Sequence, residues 1–179
     1  MYGMVNQAVK GLIVQEVGES AWASIAQHAG APSSFEDMLV YDDKITYDIV
    51  AETSRQLEVR AEDLLIKFGV YWIENIALKN YQDLLDKKKH NIYTFLQNLN
   101  AMHDHLKITY PKLTPPIIRS KELDNKDIQI DYYSKRVGLE SFVIGLLQGL
   151  MEHFEISGEI SFDDNSTDLP GKRFFIRKK

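Results

Sequence analysis

Apolar residues recur at helical spacing through roughly the first two thirds of the chain and at alternating spacing through much of the rest. Residues 2–14 place Val5, Ala8, Val9, Leu12 and Ile13 on one face, which predicts an ordered N-terminal helix. Residues 19–29 predict a second, short helix with Trp22 and Ile25 inward and Gly30 as its stop, followed by a loop at Pro32-Ser33-Ser34. Asp42 or Asp43 can cap a helix through residue 57 that buries Ile45, Ile49 and Val50. Residues 61–78 form another, with Leu64, Leu65, Phe68, Trp72 and Ile76 inside. Gly69 lies within it, where glycine weakens a helix unless something packs close. A short helical turn at 81–88 precedes the most informative stretch, residues 91–116. Wound as a helix, it aligns Ile92, Phe95, Leu96, Leu99, Met102 and Leu106. Tyr110-Pro111 and Pro115-Pro116 end it and stiffen the exit.

After Pro116 the period changes. Residues 117–123 and 128–136 alternate like strands joined by a turn at Asp124-Asn125-Lys126. Residues 139–154 return to helix, with Phe142, Val143, Leu146, Leu147 and Leu150 apolar. Residues 155–162 and 172–177 read as two closing strands around an Asp/Asn/Gly/Pro-rich loop. Helices first, then an antiparallel sheet carrying one helix, make the fold class α+β. There is no internal repeat and no low-complexity linker.

Composition narrows the classes. The length, 179 residues, suits one domain or two small lobes sharing a core, and 44% hydrophobic with 26% charged residues permits a sizeable core. A net charge of -5 argues against nucleic-acid binding. The runs Lys87-Lys88-Lys89 and Arg177-Lys178-Lys179 read as solvated. With no cysteine, disulfides, thiolate catalysis and Cys-ligated metal centres are excluded. The start Met1-Tyr2-Gly3 lacks a basic secretory n-region, and the most apolar run, 137–150, is too short for a membrane span, so a cytoplasmic location without membrane insertion is expected.

Against that background two groups of side chains stand out. His103 falls in the middle of the apolar stripe of 91–116, four residues after Leu99, whereas His105 points to the polar side. An imidazole aimed into a core needs a partner: a backbone carbonyl or carboxylate on base rates, or a metal in a hydrophobic pocket. On the second strand, Ile128, Ile130, Tyr132, Ser134 and Arg136 share one face, which starts apolar and ends in a phenol, a hydroxyl and a guanidinium. Taken alone the triplet fits a strand leaving the core. It also fits an anion clamp, with Arg136 holding a carboxylate bidentately and two hydroxyls donating. A buried imidazole plus three carboxylate donors suits haem, with its one iron and two propionates. His28, His90 and His153 are isolated, no phosphate-binding glycine loop is present, and Asp42-Asp43 and Asp163-Asp164 sit in capping or loop contexts without catalytic weight. Gly145 and Gly149, four apart on a helix, suit close packing against a neighbour or a cofactor.

The run Asn98-Leu99-Asn100-Ala101-Met102-His103, then Pro115-Pro116, then Tyr132-x-Ser134-x-Arg136, resembles the H-NOX (haem nitric oxide/oxygen binding) domain, which is also the sensor domain of soluble guanylate cyclase. The Met1-Tyr2-Gly3 start and the Phe142–Gly149 stretch fit the same pattern, so the resemblance covers essentially the whole chain. It implies a single domain over 1–179, with a distal helical lobe (1–60), a proximal lobe (61–179) carrying the His helix and the sheet, and haem b between them. His103 would ligate the iron, Tyr132, Ser134 and Arg136 would hold the propionates, and Pro116 would press on the porphyrin and bend it. Oxygen-binding members use a distal tyrosine; the matching Phe142 has no donor. Val5, Val9, Trp72, Ile76 and Leu146 would complete the lining, with the Trp72 indole the only possible donor, though all six residues would also serve as ordinary core. A pocket without a placed donor favours NO and CO over O₂.

The expected protein is thus a stand-alone bacterial NO sensor without enzymatic activity. NO binding would release His103, and a separate protein, a histidine kinase or a cyclic-di-GMP enzyme, would read the shift. Two readings from other classes compete. An oxygen carrier or haem enzyme would show a stable oxygen complex in air. A haem-free module for an apolar carboxylate would use Arg136 and Tyr132 and purify colourless.

Overall fold

A computed structural model describes residues 1–163 and 171–179. In chain order it contains α1 (Gly3–His28), α2 (Asp43–Leu57), α3 (Ala61–Trp72), a π-helical turn (Ile73–Ala77), α4 (Leu78–Asn80), α5 (Ile92–Thr109), β1 (Ile117–Glu122), β2 (Ile128–Tyr133), α6 (Glu140–His153), β3 (Gly158–Asp163) and β4 (Lys172–Lys178). The α+β class is as expected. The two N-terminal helices form one kinked rod. Gly18 sits at the kink with φ 86° and ψ 168°, a conformation essentially reserved for glycine. Asp42 caps α2 by accepting from Lys44 N, and Asn91 and Thr94 close a reciprocal capping box on α5. The four strands pair antiparallel in the order β1-β2-β4-β3. Of the turn-rich 163–171 loop, residues 164–170 lie outside the described residues, and Asp164 with them.

Two apolar clusters form. One gathers α1, α2 and the start of α3, with Val9, Ile13, Ile25, Ile49 and Phe68 buried. The other gathers α5, the sheet and α6, with Phe95, Leu96, Ile130, Leu147 and Phe174 buried. Helix α3 serves both: Leu64 and Phe68 enter the first, Ile73 and Ala77 of its π-helical continuation enter the second, and Trp72 packs against each.

Helices α3 and α6 meet backbone to backbone. A Cβ on Gly69 would lie 2.4 Å from Phe142 O, and one on Gly145 would lie 2.0 Å from Ile66 O. The close approach that Gly69 needs as a mid-helix glycine is this one.

Strand β2 is shorter than its alternation suggests. Ile128, Ile130 and Tyr132 are buried in register, but the ladder stops at Tyr133. Beyond it the Ser134 hydroxyl accepts from Arg136 N at 3.0 Å, and Gly138 turns the chain at φ 74°. The competing side-chain bond replaces the strand with a turn.

Candidate functional site

His103 is delivered by the C-terminal half of α5. That helix buries Ile92, Phe95 and Leu96, and the stripe then rises to half-buried Leu99, Met102, His103 and Leu106, while His105 is exposed. A small apolar cavity, open to solvent, lies along the same stripe between Leu84, Phe95, Leu99 and Met102, with His90 and Asn98 beside them. The Nδ1 atom of His103 is buried and has no hydrogen-bond partner. Burial holds the imidazole below its ordinary pKa, opposed by the nearby Pro116 backbone carbonyl, which favours the charged ring without closing a bond to Nδ1. Pro116 therefore stands against His103, brought there by the rigid exit from α5. The exit is anchored from the helix itself: Asn100 Nδ2 donates to Ile118 O at 2.5 Å, and Asn100 Oδ1 accepts from Ile118 N at 2.9 Å.

Tyr132, Ser134 and Arg136 come together at the end of β2. Tyr132 is 8% exposed. Burial raises the pKa of its phenol, and the Ser134 hydroxyl and the Arg136 guanidinium oppose that rise, which places both beside it. Arg136 grips a carboxylate already. Its Nε donates to Asp43 Oδ2 at 2.7 Å, its Nη2 lies 3.4 Å from Asp43 Oδ1, and its Nη1 donates to Thr114 O at 3.0 Å. The Asp43 oxygens occupy the fork of the guanidinium as any carboxylate would. Asp43 also receives the Met1 amino group at 2.5 Å.

The six remaining predicted residues lie in or against the two apolar clusters, both of which Trp72 touches. Phe142 stacks on Phe68 with ring centroids 5.0 Å apart, and Trp72 meets Phe68 edge-on at 6.0 Å. Val9 is buried, and Val5, Ile76, Phe142 and Trp72 pack against the helical cluster. Leu146 packs against the sheet cluster, which Trp72 also touches. No hydroxyl belongs to this group. One nearby polar residue is absent from the sequence reading: Asn6, fully buried on α1, whose Oδ1 accepts from Thr46 Oγ1 at 2.6 Å and whose Nδ2 is unpartnered.

Other contributors also escaped the sequence reading. Tyr47 on α2 donates its hydroxyl to Val137 O at 3.1 Å, fastening the loop that carries Arg136. The Tyr2 hydroxyl accepts from Lys112 N at 3.0 Å, and its ring meets Tyr110 edge-on at 5.1 Å, tying the N-terminus to the exit of α5. A polar side chain at a helix position facing apolar neighbours, as Asn6 has in Val5 and Val9, was the available signal; the partner was not. Among the described residues no three His, Asp or Glu side chains converge on a metal-sized space. No helix there is long and apolar enough to cross a membrane.

A family model described as Haem-NO-binding matches residues 2–162. The chain is 26% identical over 155 residues to soluble guanylate cyclase 89Db of Drosophila melanogaster, covering 86% of this chain and 23% of the fly protein. It thus spans about a quarter of that relative's length. By structure it superposes on a point mutant of the H-NOX protein from K. algicida, in its Fe(II) unliganded form, with a TM-score of 0.86 and 22% identity, covering 100% of this chain and 97% of that one. The H-NOX protein from S. oneidensis in the Fe(II)NO ligation state gives a TM-score of 0.82 at 22% identity, covering 100% and 99%.

Proposed function

This chain belongs to the haem-NO-binding (H-NOX) family, whose domains are haem-based gas sensors rather than catalysts, and from that premise we propose that it senses NO and signals through release of His103. Haem b, when bound, would supply a ferrous iron able to bind a diatomic gas. The observation that carries the reading is the buried, unpartnered His103 Nδ1 in an apolar setting, since such an orphan marks a ring with ligating capacity left over. The donor set at the end of β2 fits the propionates, because Arg136 already holds a carboxylate in its fork. In this reading Tyr132 and Ser134 donate to the same groups, and Arg136 exchanges Asp43 for a propionate or is shared between them.

Pro116, standing against His103, would press on the porphyrin that His103 holds. Phe142, Val5, Val9, Ile76 and Leu146 line the gas side without a donor, which leaves the Trp72 indole and the unpartnered Asn6 Nδ2 as the donors near that group. NO and CO are the favoured ligands. The distal lobe (residues 1–60) and proximal lobe (61–179) act as the two bodies whose relation changes. Loss of the His103 bond on NO binding would free α5 to shift. A separate signalling protein reads that shift, a histidine kinase or a cyclic-di-GMP enzyme in a cytoplasmic setting.

The test is the absorption spectrum of the ferrous protein, in air and after NO. The expected result is a Soret band unchanged in air that moves to a five-coordinate nitrosyl position with NO. His103→Gly should lose the ferrous spectrum and regain it with added imidazole. A stable oxygen complex, or a His103→Gly protein with an unaltered spectrum, overturns the reading.

A further inference from the structure

Three apolar side chains stand exposed in a row: Met38 at 56%, Leu39 at 50% and Val40 at 42%. The other exposed large apolar residues among those described, Val17, Val59, Ile108, Ile117 and Val137, are isolated in sequence. Single exposed apolar residues are ordinary, whereas a contiguous run is a feature that soluble surfaces avoid unless something covers it.

The run is held on a built support. Gly3 N donates to Leu39 O at 2.8 Å, Tyr41 N to Met1 O at 2.8 Å and Leu39 N to Glu36 O at 3.0 Å. The Tyr41 hydroxyl accepts from Glu36 N at 3.0 Å, and Gln7 Nε2 donates to Phe35 O at 2.6 Å. Phe35, 4% exposed, packs edge-on against Tyr41 with centroids 5.0 Å apart. Only glycine fits at position 3, where a Cβ would meet Glu36 O. A backbone held on such a support loses little further entropy when the run is covered, which is what an interface anchor requires.

We propose that Met38, Leu39 and Val40 form the docking surface for the signalling protein, and that this partner offers an apolar groove rimmed by Lys or Arg. The inference deepens the sensor reading above and rests on it. Charge decides the occupant. Exposed Glu36, Asp37 and Asp42 frame the apolar run, so a basic rim is complementary. An anionic lipid surface would be repelled, and a second copy of this chain would bring acidic frames face to face. The surface also has a contact route to His103. Tyr2 bridges to Val40 in antiparallel fashion while its hydroxyl and ring hold Lys112 and Tyr110 at the exit of α5. A shift of α5 pulls on Tyr2 and through it on the docking surface.

A phage-displayed random peptide library is selected on the immobilised ferrous holoprotein, and enriched peptides are titrated by fluorescence anisotropy. Enriched sequences should pair apolar residues with Lys or Arg. They should bind the Met38→Ser/Leu39→Ser/Val40→Ser variant roughly tenfold more weakly, and Glu36→Gln/Asp37→Asn more weakly by about threefold. Leu39→Ser alone serves if the triple variant does not fold by circular dichroism. Equal binding to wild type and variants overturns the proposal, as does an absence of enrichment. It is also overturned by self-association in sedimentation that the triple variant loses, or by variant-sensitive binding to phosphatidylserine vesicles. The Soret shift with NO is recorded on the same preparations. Its absence sinks the sensor reading and with it the signalling role of this surface, whereas a normal shift without surface-dependent peptides sinks the docking surface alone.

Discussion

Helices α6 and α5 contribute to one core and are seated in it in opposite ways. Helix α6 buries Val143, Leu147, Leu150 and Met151, and its glycines let the α3 backbone into contact, so it has no room to slide. Helix α5 is buried only in its first turns. Its second half, which carries His103, rests on half-buried Leu99 and Met102 beside a cavity, and on one side-chain tie from Asn100 to Ile118. A close-packed interface resists displacement because every atom that moves meets another. A helix end held by so little can change position when a tie is lost. The difference separates a rigid frame from the element that the proposed release of His103 would turn into a lever.

The sharpest way to break that comparison is to put a methyl group into the frame. Gly145→Ala would set a Cβ against Ile66 O, and overpacking of backbone on backbone should cost about 3 kcal/mol or more. Urea unfolding reads this directly, and a wild-type midpoint would mean that the α3–α6 contact yields after all. Next comes the lever's tie. Asn100→Ala leaves the Ile118 N–H and C=O without their partner in a strand residue that is 7% exposed. The cost should be about 2 kcal/mol, with faster amide exchange at Ile118 and little change within α6. Equal acceleration in both helices would erase the distinction between them.

The smallest effect concerns the link between the two clusters. The Asp43 carboxyl is held below its ordinary pKa of 3.8: burial pushes it up, and the Arg136 guanidinium and the amino terminus outweigh that. A carboxyl lowered on folding stabilises the fold above its unfolded pKa, and that contribution is lost as pH falls through the folded value. Wild type should therefore lose more stability than Asp43→Asn between about pH 5 and about pH 2, with the two converging at the acid end. The effect is modest because Asp43 is 37% exposed and screened. Parallel pH profiles of the unfolding midpoint would show that the Arg136 grip adds no stability.

Much of this was readable residue by residue. The stripe from Ile92 to Leu106 is a one-turn periodicity, so the side of α5 on which His103 lies follows from spacing alone, as does the alternation that buries Ile128, Ile130 and Tyr132. The spacing of Gly145 and Gly149 announced a close approach. Even locally the reading overran where a side chain competed with the backbone: Ser134 ends β2 early by accepting from Arg136 N. Gly18 joins in one kinked rod the two helices expected over residues 2–14 and 19–29.

What the sequence by itself determined is therefore the set of elements, their buried faces and the residue types offered on each, because these depend on neighbours within one turn or one strand pair. Tertiary structure alone decided the pairings. That Arg136 grips Asp43, that Tyr2 receives Lys112, that Asn6 takes Thr46 and that Gly145 lies on Ile66 are contacts between distant parts of the chain. No local periodicity encodes them. Which polar groups meet depends on how whole apolar faces dock, and burial then makes each leftover polar group find a partner or stay orphaned, as His103 Nδ1 does.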